Sequence, residues 1–211
     1  MIKQYKISVP KSTLNDIYKR VREFPWKDAQ NMSGWEYGTN LNYLKSISKY
    51  WISKYNWKKF ENKINSFKNY KTKVEDINLH FIFEKSKNPN SRPLLLLHGW
   101  PGSISEFLNI IPRLAHPEKY GGKIEDGFDV IVPSLPGFGF SSQIKKALGP
   151  RKIGKILNKF MVKNLGYKNY FVQGGDWGAT IAGWIGLDSS KNCKGIHLSL
   201  IHISEPTRPY L

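Results

Sequence analysis

The chain has 211 residues, of which 40% are hydrophobic and 14% aromatic, so intrinsic disorder is excluded and one sizeable core is possible. Thirty-three Lys and Arg residues against 16 Asp and Glu residues give a net charge of +17, which favours anionic surfaces. Because the lysines are spread along the chain, we predict no nucleic-acid partner and keep membrane-surface association open. The single cysteine, Cys193, excludes an intrachain disulfide and is predicted to be a buried thiol.

Residues 1–90 are predicted to form a helical region that ends in a strand. A first helix follows Pro10 and Ser12, and its apolar face consists of Leu14, Ile17, Tyr18, Val21 and Phe24. A second helical stripe is predicted to pack rather than to stack on nucleic acid; it comprises Leu44, Ile47, Trp51 and Tyr55. The alternating segment "INLHFIF" predicts a half-buried strand with one apolar face, formed by Ile77, Leu79, Phe81 and Phe83. The polar stretch at 85–93 is predicted to divide the chain.

Residues 91–211 alternate between strand and helix patterns. Strands are predicted at "PLLLLHGW", "YFVQGGD" and "KGIHLSLI", and a strand followed by a glycine-rich loop at "FDVIVPSLPGFGFSS". Helices are predicted at "PGSISEFLNIIPRL", where Ser103 and Glu106 have capping-box spacing, at "RKIGKILNKFMVKNLG", ending at Gly166, and at "WGATIAGWIGL". This alternation predicts an α/β fold with a mostly parallel sheet and flanking helices. Ligands of such sheets bind at the carboxyl ends of the strands.

The segment "YFVQGGDWGATIAGW" places Asp176 on the turn between a strand and a helix. Gly174 and Gly178, two residues before and two after, are the small residues that a sharp strand-to-helix turn requires. A carboxylate is already ionised at neutral pH, so an aspartate at this position needs no activating base to attack carbon. The alternative is a helix N-cap, since Asp is a preferred cap residue. The glycines favour a nucleophile.

The segment "HGWPGS", residues 98–103, follows another strand and leads into a helix. A loop of this kind directs backbone N–H groups at a nucleophile and forms an oxyanion hole with the amide of the residue after the nucleophile. The candidate donors are the backbone amides of Trp100 and Trp177. His98 is expected to hold the loop by hydrogen bonds rather than to act as a base.

Three motifs, "HGWPGS…EF", "PSLPGFGFS" and "QGGDWGA", together with the N-terminal helical region, resemble epoxide hydrolases of the microsomal and insect juvenile-hormone type. The resemblance runs from about Tyr5 to about Leu200 and implies an α/β-hydrolase fold. It implies that Asp176 opens an epoxide to form an ester, with the Trp100 and Trp177 amides as oxyanion hole. It also implies a small lipophilic epoxide as substrate, a microsomal or endoplasmic-reticulum membrane location, and no cofactor or metal.

The resemblance leaves part of the family's catalytic set without a counterpart. A histidine paired with an acid, and two lid tyrosines, lie further along a family chain than Leu211. The ending "IHISEPTRPYL" resembles no part of the fold, so a truncated or misassembled product with little turnover is expected. Two alternatives stay open at this point. One is a haloalkane dehalogenase, whose usual Asn after His-Gly is replaced by Trp100, and the other is a catalytically dead fragment that acts as an interaction module.

Overall fold

The computed structural model describes residues 1–29, 34–36 and 38–199, and its contacts divide the chain into two compact units. One unit combines Met1–Lys6 with Ile64–Leu211, and the other is Ile7–Lys63. The division that the sequence predicted at 85–93 falls inside the larger unit. The ending "IHISEPTRPYL", for which no element was predicted, lies outside the described residues.

The smaller unit is helical. Its helices are α1, Lys11–Arg22, and α2, Leu41–Ser53, and it contains most of α3, Trp57–Asn65. The first two confirm the predicted helices, and Asn40 caps α2 by accepting the Tyr43 N–H at 3.1 Å. Helix α3 was not predicted. The buried Glu61 carboxylate ties it to the start of the unit, because Oε2 accepts the Val9 N–H at 2.8 Å.

The predicted packing of the α2 stripe is only partly correct. Leu44, Ile47, Trp51 and Tyr55 follow one another at helical spacing, yet each is 36–43% exposed. Leu41 is the one buried residue of α2. The helical spacing of these four residues therefore predicted helix α2 correctly. Their side chains, however, are only partly covered by the described part of the chain.

The larger unit is built on one seven-stranded sheet in the order β1-β2-β3-β5-β4-β6-β7. The strands are β1, Lys3–Gln4; β2, Asn69–Val74; β3, Ile77–Glu84; β4, Arg92–Leu97; β5, Phe128–Pro133; β6, Tyr170–Gly175; and β7, Cys193–Ser199. In this order, the pairs β1–β2, β2–β3 and β3–β5 are antiparallel. The pairs β5–β4, β4–β6 and β6–β7 are parallel. The alternating half of the sequence thus forms the parallel half of a mixed sheet, and the antiparallel strands β1 and β2 were not predicted.

Strand β3 is correctly predicted, but it is not half-buried. His80 and Ile82, on the face expected to be polar, are as completely buried as Leu79 and Phe81. The reason is that both faces are covered: Leu79 and Phe81 lie in the main core, and the rings of Tyr5 and Phe140 pack against His80 on the other face.

Helices α5, Pro150–Lys159, and α6, Trp177–Asp188, pack against each other and close one face of the core. A π-helical turn, Phe160–Asn164, extends α5 as far as Gly166, whose φ of 80° confirms the predicted C-cap. Cys193 is buried and free, as predicted, and burial raises the pKa of its thiol. In the described ranges no helix has both the length and the hydropathy to cross a membrane.

The helix predicted over "PGSISEFLNIIPRL" is interrupted. The structure has a 3-10 turn, Ile104–Phe107, followed by the short helix α4, Ile111–Ala115. Pro112 lies in the first turn of α4, where its missing N–H costs nothing, but it cannot continue a helix that started eight residues earlier. The predicted cap is correct, since Ser103 Oγ accepts the Ser105 N–H at 3.2 Å.

Candidate active site at the carboxyl ends of the strands

Asp176 occupies the turn between β6 and α6. Its φ of 51° and ψ of −125° lie in a region that L-residues rarely adopt. It is one of two non-glycine residues with positive φ in the described chain. Backbone strain of this kind holds a side chain clear of the sheet, and Asp176 is indeed exposed.

The two glycines that flank Asp176 are required by close backbone contacts. A Cβ atom at Gly174 would overlap the carbonyl group of Gly178. A Cβ atom at Gly178 would overlap the carbonyl oxygen of Leu97, at the end of β4. The first residues of α6 therefore lie directly against two neighbouring strands, as the sharp-turn interpretation predicted.

The side chain of Asp176 does not cap α6. The Asp176 carbonyl accepts the Ala179 N–H at 3.0 Å, but the carboxylate forms no N-cap hydrogen bond to the second or third residue of α6. Instead its Oδ1 accepts the backbone N–H of Trp100 at 2.8 Å. This contact joins the two motifs that the sequence singled out, which lie 76 residues apart.

Backbone hydrogen bonding keeps Asp176 ionised. The Trp100 amide lowers the pKa of the carboxyl most, and the Trp177 amide lowers it further, against a small opposing effect of burial. Both amides thus act on the carboxylate of Asp176. The Trp100 N–H donates directly to Oδ1, and the adjacent Trp177 amide is the second candidate donor for negative charge on this oxygen.

His98 holds the loop, as predicted. Its Nε2 accepts the Leu135 N–H at 3.1 Å, so the ring proton is on Nδ1, which donates to the Gly99 carbonyl at 3.0 Å. The ring is fully buried, and this burial lowers the pKa of His98. Both ring nitrogens are engaged, so His98 is a structural link between the loops after β4 and β5.

Aromatic residues occur in the loops that meet at Asp176. The side chains of Trp100 and Trp177 are 67% and 48% exposed, while the ring of Phe138 packs edge-on against His98. The Trp100–Pro101 peptide is cis. Exposed aromatic side chains beside an ionised carboxylate provide an apolar surface for a lipophilic ligand.

Sequence reasoning missed one carboxylate near this site. Glu106 was predicted only as part of a helix cap, yet it lies close enough to Asp176 for the charge of Asp176 to raise the pKa of Glu106. The capping-box spacing indicated the residue, but it gave no sign that the cap belongs to the loop that holds Asp176.

Comparison with known proteins identifies two family models along the chain. The model described as "Epoxide hydrolase N terminus" matches residues 2–107, and the one described as "alpha/beta hydrolase fold" matches residues 92–209. The second match and the structural neighbour described below, together with the mixed seven-stranded sheet, confirm the fold class predicted from the sequence.

Several relatives resemble the chain over most of its length. A putative epoxide hydrolase of Stigmatella aurantiaca is 40% identical, and Epoxide hydrolase 1 of Oryctolagus cuniculus is 38% identical; each match covers 94% of this chain. The crystal structure of juvenile hormone epoxide hydrolase from the silkworm Bombyx mori has a TM-score of 0.82, at 33% identity and 95% coverage. The chain spans 45% of each of the two relatives and 53% of the silkworm structure.

Proposed function

Because this chain belongs to the epoxide hydrolase family, we propose that Asp176 is a nucleophile that opens a lipophilic epoxide and forms an enzyme ester. The substrate class is a juvenile-hormone-like or xenobiotic epoxide. The observation that carries the proposal is the hydrogen bond of 2.8 Å from the Trp100 amide to Asp176 Oδ1, on a turn with a φ of 51°.

The first step needs only an ionised and oriented carboxylate. The Trp100 amide holds Oδ1, which leaves Oδ2 as the attacking oxygen. A bond forms between Oδ2 and one epoxide carbon, and the carbon–oxygen bond of the ring breaks. The electron pair goes to the epoxide oxygen, which then takes a proton from solvent water. The low pKa of Asp176 keeps the nucleophile ionised at neutral pH without a neighbouring base.

The second step requires the oxyanion hole. Water adds to the carbonyl carbon of the ester, and negative charge develops on the oxygen that the Trp100 and Trp177 amides face. Collapse of this intermediate returns the carboxylate and releases a vicinal diol. Removing one such donor typically slows a reaction by about 10²–10³-fold.

Release of the diol also requires a base that takes a proton from water. His98 is the histidine closest to the site in sequence, but both of its ring nitrogens are committed to Leu135 and Gly99. We therefore propose that the described residues support ester formation and do not support efficient turnover.

Mass spectrometry of the purified chain after incubation with styrene oxide tests this function. We expect one adduct per chain, located on Asp176, with at most slow release of diol. Asp176→Asn removes the anionic nucleophile and should abolish the adduct, whereas Asp126→Asn, on an exposed turn, should leave it unchanged. An adduct at another residue, or rapid multiple turnover, would contradict the proposal.

The same experiment separates the two alternatives. A chloroalkane in place of the epoxide should give no adduct, because the family and Trp100 both favour the epoxide reaction. A chain that served only as an interaction module would give no adduct with either substrate.

We further propose that the smaller unit associates with anionic membrane surfaces. Its α2 helix exposes aromatic rings of Tyr43, Tyr50 and Trp51 at 42–55%. A hollow of about 360 Å³ between α1 and α2 is lined almost entirely by apolar and aromatic side chains. The segment 41–63 has Glu61 as its only acidic residue, against a set of lysines, Lys45, Lys49, Lys54, Lys58, Lys59 and Lys63. Aromatic rings with lysines are typical of membrane interfaces.

Co-sedimentation with vesicles tests this association. We expect binding to phosphatidylserine-containing vesicles at low salt, weakening at high salt, and little binding to vesicles of phosphatidylcholine alone. Trp51→Glu should reduce binding because it places a negative charge on the apolar surface. Leu187→Glu is the matched control, since Leu187 is 69% exposed on α6 in the other unit. Equal loss in both variants would argue against this surface.

A further inference from the structure

The carboxylate of Glu106 lies against the backbone of the loop that contains Trp100. A Cβ atom at Gly102 would overlap Glu106 Oε1, so the glycine leaves the space that the carboxylate fills. The main chain of Glu106 is tied to the same loop, because its N–H donates to the Ser103 carbonyl at 3.1 Å. The residue is therefore attached to the loop by its side chain and by its backbone.

Glu106 acts on both ends of this loop. Hydrogen bonding from the backbone of Ser103 and of Gly99 favours its charged form. These two residues enclose Trp100, whose amide donates to Asp176. A single carboxylate thus interacts with the backbone on both sides of the donor.

Gly99 separates the two carboxylates. A Cβ atom at Gly99 would overlap Cβ and Oδ1 of Asp176, so the Asp176 side chain packs directly on the Gly99 backbone. Burial raises the pKa of Glu106 most strongly, and the charge of Asp176 raises it slightly. Over the described ranges no Lys or Arg forms an ion pair with Glu106, which leaves the loop amides as its favourable partners.

We propose that Glu106 is a positioning residue that clamps Gly99 and Ser103 together and thereby aims the Trp100 amide at Asp176. The proposal deepens the function proposed for Asp176 and rests on it. Glu106 itself touches the loop and no reacting atom, so it acts through Trp100.

Hydrogen exchange of the Trp100 amide measures the positioning directly. In protein labelled with ¹⁵N-tryptophan, Glu106→Ala should make the Trp100 amide exchange about tenfold faster, because its hydrogen bond to Asp176 loosens. Glu106→Gln keeps the shape and an acceptor oxygen and should restore most of the protection. Glu125→Ala, an exposed glutamate away from the loop, is the matched control and should change nothing.

The rate of adduct formation on Asp176 gives the second measurement. Misplacement of an oriented group by about 1 Å can slow a reaction by about 10²-fold. We expect Glu106→Ala to slow the maximal rate of adduct formation towards this extent, with the epoxide concentration for half-maximal rate nearly unchanged. Glu106→Gln should recover most of the rate.

The two measurements distinguish the possible failures. If the native chain forms no adduct, the function proposed for Asp176 is wrong, while the exchange of the Trp100 amide still tests the clamp. If Glu106→Ala folds and both its Trp100 exchange and its adduct rate equal those of the native chain, the clamp is wrong. If Glu106→Ala fails to fold, the Glu106→Gln variant decides. Stronger protection of the Trp100 amide in Glu106→Gln than in Asp176→Asn supports the clamp. Equal loss of protection in these two variants overturns it.

Discussion

At the scale of single residues, the site depends on glycines, which have no Cβ atom. Gly178 has no space for a methyl group, because a Cβ atom there would overlap Leu97 O and lie 2.8 Å from His98 O. Both oxygens belong to the backbone and cannot rotate away. An added methyl group must therefore push α6 from β4 and move Asp176 with it.

We expect Gly178→Ala to lower the free energy of unfolding by about 1–3 kcal/mol, the usual cost of overpacking. Gly183→Ala in the same helix is the control, since nothing lies within 4 Å of its added Cβ atom. It should raise the stability by about 0.5–1 kcal/mol, because Ala favours helix more than Gly does. Urea unfolding of both variants checks the difference, and equal effects would contradict the close contact.

The site residues were predictable to the extent that local geometry demands particular side chains. Glycines at 174 and 178 indicated the turn, and the turn indicated Asp176. The contact between Asp176 and Trp100 followed from placing both loops at the same edge of a parallel sheet. The closeness of Glu106 to Asp176 did not follow, because it depends on how a 3-10 turn folds back on its own loop.

At the scale of elements, prediction succeeded where apolar residues follow a regular pattern, either continuous or periodic. Strands β4 to β7 and helices α5 and α6 have such patterns. Strand β2 was missed because its sequence, "NYKTKV", mixes lysines with buried polar residues such as Asn69 and Thr72. Its burial is set by tertiary packing against β3, which the local sequence does not encode.

A buried polar network attaches β3 to the loop after β5. Asn69 Nδ2 donates to the carbonyls of Ile64 and Phe67, so its Oδ1 accepts from His80 Nε2 at 3.0 Å. The other ring nitrogen of His80 then accepts from the Ser134 hydroxyl at 2.9 Å. Both ring nitrogens are thus satisfied in the neutral ring, and protonation would place a positive charge at a fully buried position.

At the scale of the whole molecule, this network predicts how stability depends on pH. Burial, aided by the charge of Lys71, lowers the pKa of His80 to about 3. Because the pKa of His80 is lower in the folded chain than in the unfolded chain, the unfolded chain binds this proton more readily. The stabilisation is therefore complete above a pH of about 6.5 and is lost progressively as the pH falls towards 3.

We expect protonation of His80 to lower the free energy of unfolding by a few kcal/mol as the pH falls from about 6.5 towards 3. His80→Gln should be less stable at pH 7, but its stability should decline less steeply with acid. His197→Gln, at an exposed position on β7, should retain the native slope. Urea unfolding at several pH values gives the slopes, and parallel curves for native chain and His80→Gln would show that His80 does not titrate on unfolding.

The turn at Asp176 separates shape from chemistry. Positions 174 and 178 are restricted by the radii of backbone atoms, and position 176 is restricted by its φ of 51°. None of these restrictions concerns the functional group at the end of the side chain. Evolution can therefore exchange that group, and with it the kind of bond that is attacked, while the scaffold stays the same. Position 176 therefore has the most restricted backbone of the turn, while its side chain can be replaced by one that carries out a different reaction.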